Sequence, residues 1–180
     1  MAILTRGELK EISRKHTIDE LSKLIDKFKA QEDVISGKAF AFDKTTYPNG
    51  WGEAITTTGY CVKVSDVFWH RMLKNFVYSN VANQYNPYSN SKLISIEIDS
   101  NLFGRCNDGS HNAWHTAIDL KLHGEDNYIL DLTCGQFGSE YHDKWFWDKN
   151  EWLDTFQTKT PKMIRYIKFK SLSEKLMEKL

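Results

Sequence analysis

An α+β domain with a helical arm at its start is the fold class the sequence predicts. Two patterns predict it. Apolar residues recur at helical spacing at Leu21, Leu24, Ile25 and Phe28, and again at Val64, Phe68, Met72 and Phe76. Apolar and polar residues alternate with a period of two over 94–98, 114–122 and 163–169, as in strands. The bulk numbers fit one such domain. A chain of 180 residues is long enough for a real core, and 41% hydrophobic with 13% aromatic residues argues against disorder.

The arm comes first. Thr5 with Glu8, and Thr17 with Glu20, both fit the capping box, in which each side chain satisfies the other's orphan backbone N–H. Two helix starts are therefore expected, the second followed by the apolar stripe from Leu21 to Phe28. Residues 36–60 carry Gly37, Pro48, Asn49, Gly50, Gly52 and Gly59 and read as loop. The period of four from Val64 to Phe76 predicts a helix over 61–78. Gln84 to Ser91 is loop again. Ile94, Ile96 and Ile98 alternate with Ser95 and Glu97, a half-buried strand.

In the next strand Thr116, Ile118, Leu120 and Leu122 share one face, and His115, Ala117, Asp119 and Lys121 the other. Tyr128 to Thr133 returns as its partner. The aromatic run Trp145 to Trp152 reads as loop into short helix, with its tryptophans taken as core and rim packing. Ser171 and Glu174 form a third capping box before a closing helix.

Charge and cysteine usage exclude several classes. Lys+Arg and Asp+Glu are both 24, so the formal net charge is zero and a nucleic-acid partner is not expected. No apolar run approaches the roughly 20 residues of a membrane span. The N-terminus is too charged for a secretory signal, so the expected location is the cytoplasm of the producing cell, with delivery to a target cell by a specialised secretion system. Cys61, Cys106 and Cys134 have no framework spacing and do not suggest disulfides.

Three residues carry candidate chemistry. Cys61 begins the helix expected over 61–78, where free N–H groups and a partial positive charge favour a thiolate and can cradle an oxyanion. For its base, the hairpin decides. A three-residue turn at Leu122, His123 and Gly124 pairs Lys121 with Glu125, Asp119 with Asn127 and Ala117 with Ile129, which sets His115 opposite Asp131. His111 would face Gly135 in that register and have no carboxylate to orient it. Cys106 and Cys134 lack a following helix and read as small buried hydrophobes. Cys106, His111 and His115 have zinc-like spacing, but four residues of strand span about 13 Å, too far for one ion. No metal and no cofactor are therefore expected.

The motifs resemble a known superfamily. The run from Gly59 to Phe68, with Cys61, Ser65 and Phe68, resembles the nucleophile helix of the YopT/AvrPphB-type effector proteases. The run from Asp131 through Thr133 and Gln136 to Phe137 is similar to that family's Asp strand. It is also similar to the D-x-T-x-x-Q-F run of papain-like toxin domains, which include dermonecrotic glutamine deamidases. This resemblance implies a papain-like fold, with an arm over 1–36 and a catalytic domain over 37–180. It implies a cysteine-dependent hydrolase, a thiol protease or protein-glutamine deamidase, acting as an effector or toxin on a protein substrate. The implied triad is Cys61, His115 and Asp131. Transglutaminase-like acyl transfer, peptidoglycan amidase activity and a non-catalytic interaction domain are the alternatives. One departure stands out: the Gln or Asn that papain-like enzymes place shortly before the Cys is replaced by Thr56, Thr57 and Thr58. That leaves the backbone N–H of Cys61 as the expected oxyanion donor.

Overall fold

The structure is a computed structural model that describes residues 4–40, 60–76, 86–99, 102, 114–122, 126–158 and 164–169. It is α+β, with helices packed on a five-stranded antiparallel sheet. The chain runs α1 (Arg6–Lys29), α2 (Glu32–Ile35), α3 (Cys61–Phe68), β1 (Lys92–Glu97), β2 (Trp114–Leu122), β3 (Asp126–Leu130), β4 (Phe146–Asp148), α4 (Lys149–Phe156) and β5 (Ile164–Ile167). The strands lie in the order β4-β3-β2-β1-β5.

Helix α1 starts at the first expected capping box, where the Thr5 hydroxyl accepts from the Glu8 N–H and Glu8 caps the Thr5 backbone. The expected second start at Thr17 does not occur. The helix runs through it, and the Thr17 hydroxyl donates to the Ser13 carbonyl at 3.0 Å, one turn back. A Thr with a Glu three residues on marks a start only where the chain before it is not already helical. What changes at Thr17 is burial. Residues before it are largely exposed, while Thr17, Leu21, Leu24, Ile25 and Phe28 are buried.

The helix predicted over 61–78 is α-helical only to Phe68. It then widens into a π-helical turn over Trp69–Leu73, closed by the Lys74 N–H on the Trp69 carbonyl at 2.8 Å. The side-chain amide of Asn86 donates to the Leu73 and Lys74 carbonyls at 2.9 and 2.7 Å, which satisfies two orphan acceptors at the end. Residues 77 and 78, and the third capping box at Ser171, lie outside the described residues.

The central strands β1 and β2 are buried on both faces, while β5 is exposed along its length. On one face Leu93, Ile118, Leu120 and Leu130 pack with Leu21, Phe28, Val64 and Phe68 from α1 and α3. On the other, Ile94, Ile96, Ala117 and Ile129 pack with Phe137, Trp147, Trp152 and Phe156. The alternation in β1 is therefore not the mark of a half-buried strand. Ser95 is buried too, and its hydroxyl pairs with that of Thr116 on the neighbouring strand at 2.5 Å. A buried hydroxyl pair reads in sequence like a wet face. Trp147 and Trp152 sit in the core, as packing residues, and no described helix is long and apolar enough to cross a membrane.

Candidate active site

The hairpin β2–β3 positions His115 and Asp131, in a register that differs from the expected one. Ile118 pairs with Leu130, Asp119 with Ile129 and Lys121 with Asn127. The turn therefore falls one residue later than Leu122-His123-Gly124, on 123–125, which lie outside the described residues. Carried one step past Leu130, this register sets Asp131 across from Ala117, not His115. The shift moves each residue's partner by two, and side chains alternate with a period of two, so His115 and Asp131 keep a common face. They meet as diagonal neighbours, with His115 Nε2 at 2.6 Å from Asp131 Oδ2.

Both groups are fully buried. Asp131 sits just beyond β3, and each of its oxygens is satisfied. Oδ2 accepts from His115 and from the Trp152 indole N–H at 2.8 Å. Oδ1 accepts from the Thr133 backbone N–H at 3.0 Å and stands 3.4 Å from the Thr133 hydroxyl. Burial alone raises a carboxyl pKa, but the His115 charge and hydrogen bond, with Trp152 and Thr133, outweigh it and hold Asp131 below the usual carboxylate range. For His115, burial disfavours the charged ring. The Asp131 carboxylate, and then a hydrogen bond and charge from Cys61, overcome this and push the ring up to about 10. The ring is walled by Phe137, edge-on at 4.8 Å, and by Trp152 and Phe156.

Cys61 is the first residue of α3 and is 4% exposed. The N-cap residue, Tyr60, makes no side-chain capping bond, and its carbonyl accepts the first helical bond from Val64 at 2.8 Å. Val64 and Phe68, one and two turns on, anchor α3 in the core and fix where the helix begins. With His115 Nε2 committed to Asp131, Nδ1 is the nitrogen left for the thiol. The structure thus brings Cys61, His115 and Asp131 together in one buried constellation.

The other candidates fall elsewhere. Cys106, His111 and His123 lie outside the described residues. His70 is half-buried near Asp66, at 3.5 Å, and His142 is exposed. Cys134 is buried with its sulfur 3.1 Å from the Lys144 carbonyl, 3.3 Å from that of Tyr141 and 3.5 Å from that of Asp131. Burial and the Asp131 charge push its thiol pKa far up. Among the described residues no group of three or more His, Cys, Asp or Glu is arranged to hold a metal ion.

Two site residues had not been singled out from the sequence. Gln136, in a 3-10 turn over Cys134–Phe137, donates its side-chain amide to the Thr133 carbonyl at 3.1 Å and stands 3.2 Å from His115 Nδ1. An oxygen in that position would face the Thr133 carbonyl at 3.1 Å, so the contact identifies the amide nitrogen. Its signal was present, as the Gln of the D-x-T-x-x-Q-F run. Trp152 had no such signal. It reads as one core aromatic among several until the fold sets its N–H on Asp131.

Compared with known proteins, the chain matches no family model, no curated protein and no solved structure.

Proposed function

We propose that this chain is a papain-like thiol enzyme that hydrolyses amide bonds of a protein substrate, as an effector or toxin. The observation that carries the reading is the His115 ring, engaged by Asp131 at 2.6 Å through Nε2 and by the Cys61 thiol as well. Three groups in that order perform acyl transfer on unrelated folds.

The chemistry follows from the roles. His115 Nδ1 takes the Cys61 proton, and Asp131 holds the Nε2–H that fixes the tautomer and stabilises the imidazolium. The thiolate attacks an amide carbonyl, forming a carbon–sulfur bond and an oxyanion. Collapse expels ammonia from a side-chain carboxamide, or an amine from a peptide bond, with the proton returned by His115. Water then attacks the thioester and frees Cys61. The backbone N–H of Cys61, at a helix start, is one oxyanion donor. The Gln136 carboxamide lies beside Nδ1, its nitrogen shared between the ring and the Thr133 carbonyl. The producing cell's cytoplasm, with delivery to a target cell, is the location this reading implies.

The test is intact-mass analysis of target-cell proteins incubated with the parent chain and with Cys61→Ala. Deamidation adds about one dalton and proteolysis splits the chain, as expected for water replacing either leaving group. No Cys61-dependent mass change, together with growth arrest that persists in Cys61→Ala, would favour a binding domain instead.

A further inference from the structure

At the far end of the sheet from His115, three neighbouring strands each present a lysine. Ile96 lies opposite His115 on β1, and Lys92 is four residues before it, about 13 Å away along the strand. Lys168 follows β5, and the β1–β5 register, carried one step beyond Leu93 and Ile167, sets it across from Lys92. Lys121 on β2 is two residues beyond Asp119, the cross-strand partner of Lys92. Like charges set opposite each other on adjacent strands are destabilising, and Lys92 and Lys168 form such a pair.

The three lysines line a pocket of about 440 Å³ together with Ser91, Trp69 and Phe169, and among the described residues no acidic side chain joins the lining. None of the three has an ion-pair partner among the described residues. Asp119 is matched by Lys149 at 3.0 Å, and its second oxygen has no partner, so Lys92 has not turned to it. Two donors in the lining are also unmet. Ser91 is 6% exposed and its hydroxyl has no hydrogen-bond partner among the described residues; neither has the buried indole N–H of Trp69. Buried polar atoms are normally paired, and an orphan donor costs about 1–3 kcal/mol. Phe169 stacks on the Trp69 ring at 4.2 Å. In a chain with zero net charge, a pocket that joins three unpaired cations to two unmet donors is built for an anion.

We propose that this pocket binds a small phosphate-bearing anion, with Lys92, Lys121 and Lys168 supplying charge and Ser91 and Trp69 donating to its oxygens. Lysine suits phosphate as a compact charge, and the neutral donors orient the oxygens. The volume exceeds that of a single phosphate, so a ligand with more than one phosphate group, or a phosphate on a larger headgroup, fits best.

The experiment is isothermal titration of the full chain with sodium tripolyphosphate, against sodium sulfate at matched ionic strength. Tripolyphosphate binds the parent, more tightly than sulfate. The double variant Lys121→Gln/Lys168→Gln weakens it about tenfold or more, the size expected for lost charge-assisted contacts. Ser91→Ala weakens it less while leaving Cys61 labelling unchanged. Co-sedimentation with phosphatidylcholine vesicles, with and without phosphatidic acid, separates the sources. Binding that requires phosphatidic acid and fails in the double variant assigns a lipid headgroup, and binding to tripolyphosphate alone assigns a soluble ligand. Tripolyphosphate binding no tighter than sulfate, or equal binding by parent and double variant, overturns the proposal.

Discussion

Cys61 and Cys134 are both buried thiols in contact with the same His115–Asp131 pair, yet their surroundings oppose each other. Cys134 lies in the 3-10 turn beyond Asp131, among three carbonyl oxygens and close to the carboxylate. Burial and the Asp131 charge outweigh the Trp147 hydrogen bond and the Lys144 cation nearby, so its proton is held. Cys61 lies at the start of a helix, beside a ring whose protonated form Asp131 stabilises. One ion pair thus suppresses the thiol on its carboxylate side and serves the thiol on its imidazole side. Both thiols are buried, and burial raises a thiol pKa; what differs between them is the sign of the charge beside each.

The largest effect should separate the two thiols outright. Iodoacetamide at neutral pH is expected to label Cys61 and leave Cys134 unmodified in the folded chain, read by peptide mass spectrometry. On the proposed function, Cys61→Ala is expected to abolish activity, while Cys134→Ala is expected to keep it and to cost stability by about 1 kcal/mol for a buried group of that size. Equal labelling of both would break the contrast.

Removing the shared carboxylate comes next. Asp131→Asn presents an N–H where His115 needs an acceptor and sets the wrong tautomer. Amide hydrolysis should fall about a thousandfold or more. Leaving the buried ring without its counter-charge costs about 3 kcal/mol in chemical denaturation. A variant with unchanged labelling of Cys61 would mean that Asp131 does not act on that thiol.

A smaller effect lies in the pH dependence of stability. The folded His115 is raised from its ordinary 6.5 to about 10. Its contribution is fully present below about 6.5 and is lost as pH rises toward 10. The folded Asp131 is lowered, so its contribution is present above its ordinary 3.8 and is lost as pH falls through its folded value. Melting temperature should therefore decline on both sides, and the alkaline decline should be much reduced in Asp131→Asn. A parent chain with a flat alkaline limb would deny the coupling.

The smallest effect concerns Trp152, which donates to Asp131 Oδ2 at 2.8 Å. Trp152→Phe keeps the apolar bulk but removes that bond, at about 1–2 kcal/mol. Asp131 then becomes easier to protonate, and the acid limb of the stability profile should move to higher pH. Cys61 labelling at neutral pH should barely change, because His115 still holds the carboxylate charge. Strong loss of labelling would make Trp152 part of the reactive arrangement and not only its support.

Much of this was legible in the sequence, residue by residue. The helix start at Thr5, the helix start at Cys61 and the shared face of His115 and Asp131 all follow from local chemistry or a period of two. The hairpin register did not. A turn one residue later moves every cross-strand pair, and the turn residues fit either placement. The face survived because the error was even. Thr17 misled because a capping box describes an end, and the chain before it was already helical. Ser95 misled because a hydroxyl paired across strands looks polar to a pattern reader.

By itself, then, the sequence determined the α+β class and the thiol at a helix start, with an imidazole and a carboxylate on one face of a hairpin. These rest on interactions a few residues long, or on alternation that a strand imposes on its own residues. Only the tertiary structure decided that Cys61 reaches His115, that Trp152 and Thr133 satisfy the Asp131 oxygens, and that Gln136 lies beside Nδ1. Those contacts join segments far apart in the chain. They depend on how α3, α4 and the turn after β3 close over the two faces of the sheet, a packing result that no single segment encodes.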